Sequence, residues 1–198
     1  VLETLATLLV ADLELFTDGS ADGGARRGGA GYAIRHRGKT LRVGRAAAGA
    51  LCSSYRAELT AMLKSLEHVA REAADIRAEC AAPIKEIRLC SDSQSGIRRL
   101  ARGAAAQRDP LARRVWAALH AAAAAHGAHV TVVFVCGHAG VEGNEIADKL
   151  AGEAAATCPQ EHAKVDLSSA EAVCRRHAHL QQEAEENKAR TRTREPLA

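Results

Sequence analysis

The amino-acid sequence predicts an α/β fold in which a mixed five-stranded sheet, with three antiparallel and two parallel strands, is flanked by helices. Short apolar segments joined by glycine-containing turns fill the chain up to residue 48 and predict an antiparallel unit. Segments with apolar residues at helical spacing and a capping residue at the start follow, and they predict helices. Two more short apolar segments lie between these helices, and a helix that connects two strands is typical of parallel pairing.

The first three strands are predicted at 12–17, 30–36 and 41–48. The first reads DLELFT and ends in Asp18-Gly19-Ser20. The next nine letters, ADGGARRGG, predict a loop or tight turn, because glycine favours turns. Arg37-Gly38-Lys39 places a glycine at the centre of a hairpin turn between the second and third strands.

Helix ends are marked by serine, aspartate and glycine. Ser53 or Ser54 predicts the N-cap of a helix that runs to about Ala78, since a serine hydroxyl accepts the free N–H groups of the first turn. A later helix has Asp109 as its cap, proline at its first position, and Gly127 as its end. Shorter helices are predicted at 93–102 and 144–156.

The two remaining apolar segments predict the fourth and fifth strands. IKEIRLC at 84–90 alternates and stops at Ser91-Asp92-Ser93. VTVVFV at 130–135 is a continuous β-branched and aromatic run, which predicts a strand buried on both faces. The crossover helix is expected to place the fourth strand beside the first.

The chain is predicted to contain one globular domain and two flanking segments: an N-terminal extension at 1–11, the domain at 12–156, and a polar tail at 157–198. The tail lacks Phe, Trp and Tyr, and Ser168-Ser169-Ala170-Glu171 resembles a capping box, which predicts one more helix. Disorder is expected toward Pro196. The first residue, Val1, and the single methionine, Met62, are typical of a piece of a longer polypeptide or a processed fragment.

Composition narrows the partners and the compartment. The formal charge of +3 permits a polyanionic partner without requiring one. No apolar run approaches the roughly 18 residues that cross a bilayer, so no membrane partner is predicted. Six scattered cysteines without a CxxC pair predict reduced thiols and an intracellular location, either cytoplasm or nucleus.

Four carboxylates lie where predicted strands and helices meet: Asp18, Glu58, Asp92 and Asp148. Asp18 and Asp92 end strands that are expected to be neighbours, so their carboxylates should converge at one edge of the sheet, where like charges raise each other's pKa unless a cation binds. Mg²⁺ prefers such hard oxygen ligands. Two Mg²⁺ ions about 4 Å apart can serve both sides of a phosphodiester displacement, because one activates water and the other stabilises the leaving 3′ oxygen. Taken alone, Asp18 is better explained as part of a turn, Glu58 as a surface residue, and Asp92 could simply cap a helix, so the joint placement carries the prediction.

A motif at 137–148, GHAGVEGNEIAD, connects these carboxylates to a known family. From His138 through Asp148 it resembles the HxGxxGNExAD pattern of the ribonuclease H type 1 family. The family's upstream landmarks match in order, with FTDGS at 16–20, YRAEL at 55–59 and SDSQ at 91–94. The resemblance covers roughly residues 13–156 and implies an RNase H-like fold. It also implies an endonuclease that hydrolyses the RNA strand of an RNA–DNA hybrid with two Mg²⁺ ions, for which Mn²⁺ can substitute.

The resemblance implies roles for individual residues. The four carboxylates match the family's catalytic metal ligands, and His138 matches a histidine that assists proton transfer and product release. Contacts to the hybrid, whose wide minor groove displays 2′-hydroxyls, are expected at Gly19, Ser20, Ser54, Tyr55, Arg56, Ser93, Gln94 and Asn144.

Two departures from the family pattern point to a subgroup. Cellular members commonly have two asparagines where this chain has Ser54 and Tyr55, and Tyr55 either stacks on a nucleotide or packs at the helix start. Only Arg102 and Arg108 are positively charged between residues 100 and 111, so a basic handle helix is not expected. Together with the fragment-like start, these features resemble the RNase H domains of non-LTR retrotransposon polyproteins. That implies a reverse transcriptase partner in the same polyprotein and removal of template RNA after copying.

Four alternatives remain open. The chain could be a cellular ribonuclease H, an integrase-like or exonuclease relative on the same fold, or a hybrid-binding domain that is inactive without its reverse transcriptase. The relatives on the same fold lack the motif at 137–148. Separately, the tail could hold zinc at Cys158, His162, Cys174 and His177, although this spacing matches no standard zinc finger.

Overall fold

The computed structural model describes residues 11–23, 26–160, 165 and 167–192, without the side chains of 168, 172 and 187–192. Its sheet contains β1 (Leu13–Asp22), β2 (Arg26–His36), β3 (Lys39–Leu51), β4 (Glu86–Ser91) and β5 (His129–Phe134). The helices are α1 (Ser54–Arg71), α2 (Ala73–Cys80), α3 (Gln94–Leu100), α4 (Pro110–His126), α5 (Glu142–Thr157) and α6 (Leu167–Arg192), with a short 3₁₀ turn at Ala104–Ala106. None of these helices is long and apolar enough to cross a membrane.

The predicted mixed sheet is confirmed. Its strand order is β3-β2-β1-β4-β5, in which β1, β2 and β3 are antiparallel and β4 and β5 run parallel to β1. The first and fourth strands are therefore neighbours, as expected. Because β1 and β4 are parallel, their carboxyl ends meet at the same edge of the sheet, which is the usual location of a site in such folds.

The main core lies between one face of the sheet and helices α1 and α4. Leu13 and Leu15 of β1 are fully buried there against α1 residues such as Leu59 and Leu66. The predicted helix caps are confirmed. The Ser53 Oγ accepts a hydrogen bond from the Arg56 N–H at 3.2 Å. The Asp109 Oδ1 accepts one from the Leu111 N–H at 2.9 Å, and Gly127 ends α4 with a φ of +64°.

The predicted loop at 21–29 is mostly strand, so that prediction was wrong. β1 continues to Asp22 and β2 already begins at Arg26. The glycines of β2 serve close packing, because a Cβ on Gly29 would lie 2.0 Å from the carbonyl oxygen of Ala151 in α5. A Cβ on Gly31 would lie 2.1 Å from the carbonyl oxygen of Ala147. Glycine in a strand often marks such an approach of another backbone.

The helix expected to run to Ala78 is divided into α1 and α2. The chain bends at Glu72, whose backbone has φ −98° and ψ 22°. The Glu72 carboxylate accepts a hydrogen bond from the Arg42 Nε of β3 at 3.0 Å, and its other oxygen lies 3.0 Å from the His68 Nε2. These polar contacts hold the bend against β3. The helical spacing of apolar residues continues through the bend and therefore does not reveal it.

The prediction that the fifth strand is buried on both faces was wrong. β5 forms the edge of the sheet, and its inner residues Val130 and Val132 are half-buried against the core. Thr131 is exposed on the other face, and Phe134 is 42% exposed. A continuous β-branched run does not distinguish a central strand from an edge strand, because it reports β propensity and no neighbour.

The predicted helix of the tail is present as α6, which begins at Leu167, one residue before the expected cap. The predicted disorder toward Pro196, nearly all of the N-terminal extension, and His162 of the zinc hypothesis lie outside the described residues. Within the described part of the chain, neither group of candidate metal ligands includes Cys158, Cys174 or His177. The two flanking segments and their boundaries stay predictions.

Candidate active site

Three of the predicted carboxylates meet at the carboxyl ends of β1 and β4. Thr17 of β1 pairs with Ser91 of β4, so Asp18 and Asp92 follow side by side. Glu58 reaches the same point from the second turn of α1. Each of the three offers a carboxylate oxygen, and these oxygens lie within 4.8 Å of one another. The convergence predicted for Asp18 and Asp92 is therefore observed, and Glu58 joins them.

Gly19 allows α1 to lie this close to β1. A Cβ at this position would lie 2.2 Å from the backbone nitrogen of Glu58 and 2.5 Å from the carbonyl carbon of Ala57. Both are backbone atoms and cannot rotate away, so only glycine permits the contact. The residue that follows Asp18 therefore sets the distance from β1 to the helix that carries Glu58.

Replacing Gly19 with alanine is expected to separate β1 from α1, because the new methyl group would overlap backbone atoms of Ala57 and Glu58. We expect the free energy of unfolding to fall by about 3 kcal/mol. Denaturant unfolding measures this loss. The matched control is Gly152→Ala in α5, where an added Cβ has no neighbour within 4 Å. That variant should gain about 0.5–1 kcal/mol from helix propensity, and equal effects at the two glycines would contradict the prediction.

Burial and mutual repulsion favour protonation of these acids. Asp18 is 7% exposed and Glu58 is 9% exposed. Burial, followed by the charge of Asp92, raises the pKa of Asp18 to about 7. Burial, followed by the charge of Asp18, raises the pKa of Glu58 to about 9. The pKa of Asp92 is also raised, mainly by burial. The Gly19 backbone amide opposes part of this effect at both Asp18 and Glu58.

The donor set fits a hard divalent cation. The Glu58 Oε2 is buried and has no hydrogen-bond partner among the described residues. Such an atom normally has a partner, because leaving a buried acceptor unpaired costs about 1–3 kcal/mol. A cation shared by the three carboxylates would pair this oxygen and remove the repulsion. Oxygen ligands of this kind suit Mg²⁺ or Mn²⁺.

Asp148 approaches the cluster from α5. Gly31 pairs with Asp18 across β1 and β2, and the close contact of Gly31 with Ala147 brings the next residue, Asp148, near Asp18, where its carboxylate contributes to the raised pKa of Asp18. The fourth predicted carboxylate therefore lies beside the first, at the edge of the three-carboxylate cluster. The glycines of β2 and the buried alanines of α5 together place it there.

His138 lies on the loop before α5 and is exposed to solvent. Its side chain is 80% exposed, and its Nδ1 lies 3.9 Å from the Asp148 Oδ2. Glu145 joins these two residues in a second group of possible metal ligands, with ligand atoms within 4.8 Å of one another. Sequence reasoning did not single out Glu145. Its position three residues before Asp148, on the same face of a helix, is the signal that could have indicated it.

The residues predicted to contact the hybrid fall into two classes. Ser54 and Gln94 are exposed at the starts of α1 and α3, and Gly19 and Ser20 are half-buried near the cluster. The other four are engaged within the protein. The Ser93 Oγ accepts from the Gly96 N–H, the Arg56 Nε donates to the Ala48 carbonyl, Tyr55 packs against the core, and Asn144 is 2% exposed. The packing of Tyr55 agrees with the second of its two interpretations. Substrate contact by all eight residues stays a prediction.

Comparisons with known proteins agree with this geometry. Residues 11–156 match the family described as RNase H. RNase H1 from the halophilic archaeon Halobacterium salinarum is 25% identical, with a TM-score of 0.53 over 72% of this chain and 96% of that chain. LC11-RNase H1, isolated from compost by a metagenomic approach, is 23% identical, with a TM-score of 0.55 over 74% of this chain and 97% of that chain. LC11-RNase H1 in complex with an RNA/DNA hybrid gives a TM-score of 0.52 at 19% identity, over 72% and 98% of the two chains. No curated protein sequence matches the chain.

Proposed function

Because the chain belongs to the RNase H family, we propose that it is an endonuclease that hydrolyses the RNA strand of RNA–DNA hybrids. The observation that carries the proposal is the cluster of buried Asp18 and Glu58 with half-buried Asp92, in which the Glu58 Oε2 has no hydrogen-bond partner among the described residues. A structural neighbour that binds an RNA/DNA hybrid supports the choice of substrate. Intracellular action, in the cytoplasm or the nucleus, belongs to the same proposal.

In this proposal the four carboxylates hold the metal ions, and His138 transfers a proton. Asp18, Glu58, Asp92 and Asp148 would hold two Mg²⁺ ions, or Mn²⁺ in their place. When bound, the ions would supply the Lewis acidity that activates water and stabilises the leaving 3′ oxygen. Regular elements carry the four carboxylates, which lie on β1, α1 and α5 and directly after β4, so the fold sets their backbone positions before substrate arrives. The exposed imidazole of His138 can accept a proton at a ring nitrogen and release it to solvent.

We further propose that this endonuclease serves a retroelement and acts beside a reverse transcriptase in the same polyprotein. Ser54 and Tyr55 replace the asparagines of cellular enzymes, and only a short 3₁₀ turn joins α3 to the segment before α4, where a basic handle helix would lie. Both features reduce the surface that grips hybrid, which suits a domain that receives its substrate from a neighbouring polymerase. The alternative is a cellular ribonuclease H. A preference for hybrid made by a polymerase in cis would separate the two.

The decisive experiment presents one labelled RNA strand as RNA–DNA hybrid, as duplex RNA and as single strand, each with Mg²⁺. We expect cleavage of the hybrid alone, at internal positions, and complete loss of cleavage in EDTA. Cleavage of duplex RNA at a similar rate would contradict the substrate assignment. If the folded protein binds hybrid and leaves it intact at every Mg²⁺ concentration, the chain is a binding domain and the proposed activity is wrong.

Replacing His138 with alanine is expected to reduce kcat by about 10- to 100-fold without abolishing cleavage. A positioned acid or base contributes about 10²–10⁴-fold, and water can replace part of that contribution at an exposed site. Single-turnover and steady-state rates on hybrid separate a slower chemical step from slower product release. His120, an exposed histidine on α4, supplies the control, because His120→Ala should retain wild-type kcat. Equal rates for wild type and His138→Ala would show that His138 is a bystander.

A further inference from the structure

Helix α6 lies beyond the family match, which ends at residue 156, yet it contacts the elements that carry Asp18 and Glu58. The structural neighbours named above are covered over 96–98% of their own length but over only 72–74% of this chain. α6 is therefore an addition to the part that these proteins share. Its contacts with that part indicate what the addition does.

The first contact is a buried hydrogen bond at the start of α1. Ser169 is fully buried, and its Oγ accepts a hydrogen bond from the Ser53 backbone N–H at 3.0 Å. Ser53 is itself the N-cap of α1, since its Oγ accepts from the Arg56 N–H. The two serine hydroxyl oxygens are 3.4 Å apart. A residue of the tail thus fixes the residue that begins the helix carrying Glu58.

The second contact is at the far end of β1. The Arg176 guanidinium donates a hydrogen bond from one terminal nitrogen to the Asp22 carbonyl at 3.1 Å. It fills the space beside Gly23, where an added Cβ would lie 1.1 Å from the same nitrogen. Asp22 is the last residue of β1, the strand that carries Asp18. One helix therefore contacts both the strand that carries Asp18 and the start of the helix that carries Glu58.

We propose that α6 is part of the catalytic unit and that Ser169 is a positioning residue, which fixes the N-terminal end of α1 and thereby the carboxylate of Glu58. The proposal rests on the proposed function. Ser53 is 6% exposed, so without the Ser169 hydroxyl its N–H would lose this hydrogen bond at a buried position, which favours movement of the helix start. Glu58 tolerates little movement, because its backbone lies directly against Gly19. A displacement of about 1 Å at a site of this kind can reduce turnover by about 100-fold.

The test compares Ser169→Ala, which removes the acceptor, with Ser169→Thr, which retains a hydroxyl, in the full chain. Glu183→Gln, on the exposed part of α6, is the control. Mg²⁺ affinity is measured by calorimetry without nucleic acid, and kcat and KM on hybrid are measured well below the unfolding midpoint. We expect Ser169→Ala to weaken Mg²⁺ binding about fivefold and to lower kcat about tenfold, with KM changed by less than about twofold. Ser169→Thr should recover most of both losses.

A purely structural role predicts a different result. If Ser169→Ala lowers only the unfolding midpoint and keeps wild-type Mg²⁺ affinity and kcat, the positioning role is wrong. Should Ser169→Ala be unfolded, Arg176→Gln tests the second contact, because it removes only an exposed hydrogen bond; we expect about a threefold fall in kcat, and an unchanged kcat overturns the proposal. If the wild-type chain leaves hybrid intact, the proposed function fails. The difference in Mg²⁺ affinity between wild type and Ser169→Ala still decides the positioning role.

Discussion

The Asp18→Asn variant is expected to lose cleavage of RNA–DNA hybrid and, without metal, to be more stable than the wild type. Asp18 shares the cluster with Glu58 and Asp92, and Asp92 and Asp148 both raise its pKa, so the amide removes one of the mutually repelling charges. Loss of one metal-binding oxygen charge removes several kcal/mol of transition-state stabilisation, which corresponds to a fall in kcat of at least about 10³-fold. The shape of the side chain is nearly unchanged.

The gain in stability has an electrostatic origin. Repulsion within the cluster weakens the folded state at pH 8, and removing one of its charges should raise the free energy of unfolding by about 1–3 kcal/mol in EDTA. Denaturant unfolding at pH 8 measures the gain, and single-turnover cleavage measures the loss of activity. Asp75→Asn, on the exposed first turn of α2, is the control and should change neither quantity. Near-wild-type cleavage by Asp18→Asn would refute the assignment of the metal site.

The second large effect concerns pH: the metal-free protein is expected to lose stability as the pH rises from about 4 toward 9. Both Asp18, with a pKa raised to about 7, and Glu58, with a pKa raised to about 9, hold protons in the folded state that the unfolded chain has already released. The unfolded state therefore binds fewer protons, and the free energy of unfolding falls with pH. Stability is fully present below the ordinary pKa values of 3.8 and 4.5, and it is lost progressively through 7 and 9.

We expect the loss between pH 5 and 8 to be on the order of 6 kcal/mol, because the folded state holds between one and two more protons than the unfolded chain over that range. Urea unfolding in EDTA at four pH values measures it. Millimolar Mg²⁺ should restore more stability at pH 8 than at pH 5, because metal ligands must be deprotonated to bind. The double variant Asp18→Asn, Glu58→Gln should show a nearly flat profile in this range. A flat profile for the wild type would refute the raised pKa values.

Much of the fold and the carboxylate cluster could be predicted from the sequence because the signals are local. Ser53, Asp109 and Gly127 mark helix ends through their own hydrogen bonds or backbone angles. The carboxylates at the ends of β1 and β4 converge because parallel neighbours share a sheet edge, and alternation together with a crossover helix predicts that pairing. In each case the determining interaction lies within a few residues or follows from the order of elements.

The features that sequence reasoning missed depend on contacts between distant residues. The glycines of β2 predict a turn when the sequence is considered locally, because the sequence does not show that they provide space for the backbone of α5. The edge position of β5 depends on the absence of a further strand beside it in the described sheet. Likewise, Ser169 matches a capping pattern within its own segment, but its hydroxyl bonds to Ser53, 116 positions earlier in the chain. Local propensity contains no information about such partners.

The contact between β2 and α5 has a consequence for how this protein can evolve. Gly29 and Gly31 face carbonyl and amide groups of α5, so main-chain atoms rather than side chains set the spacing of the two elements. Main-chain atoms have no alternative rotamers, and a mutation that adds volume on either side cannot be absorbed by repacking a neighbour. The distance between the backbones that carry Asp18 and Asp148 is therefore insensitive to changes of side-chain rotamer between β2 and α5. This spacing also cannot change by small steps during evolution, since any residue larger than glycine at these positions must displace the whole helix at once.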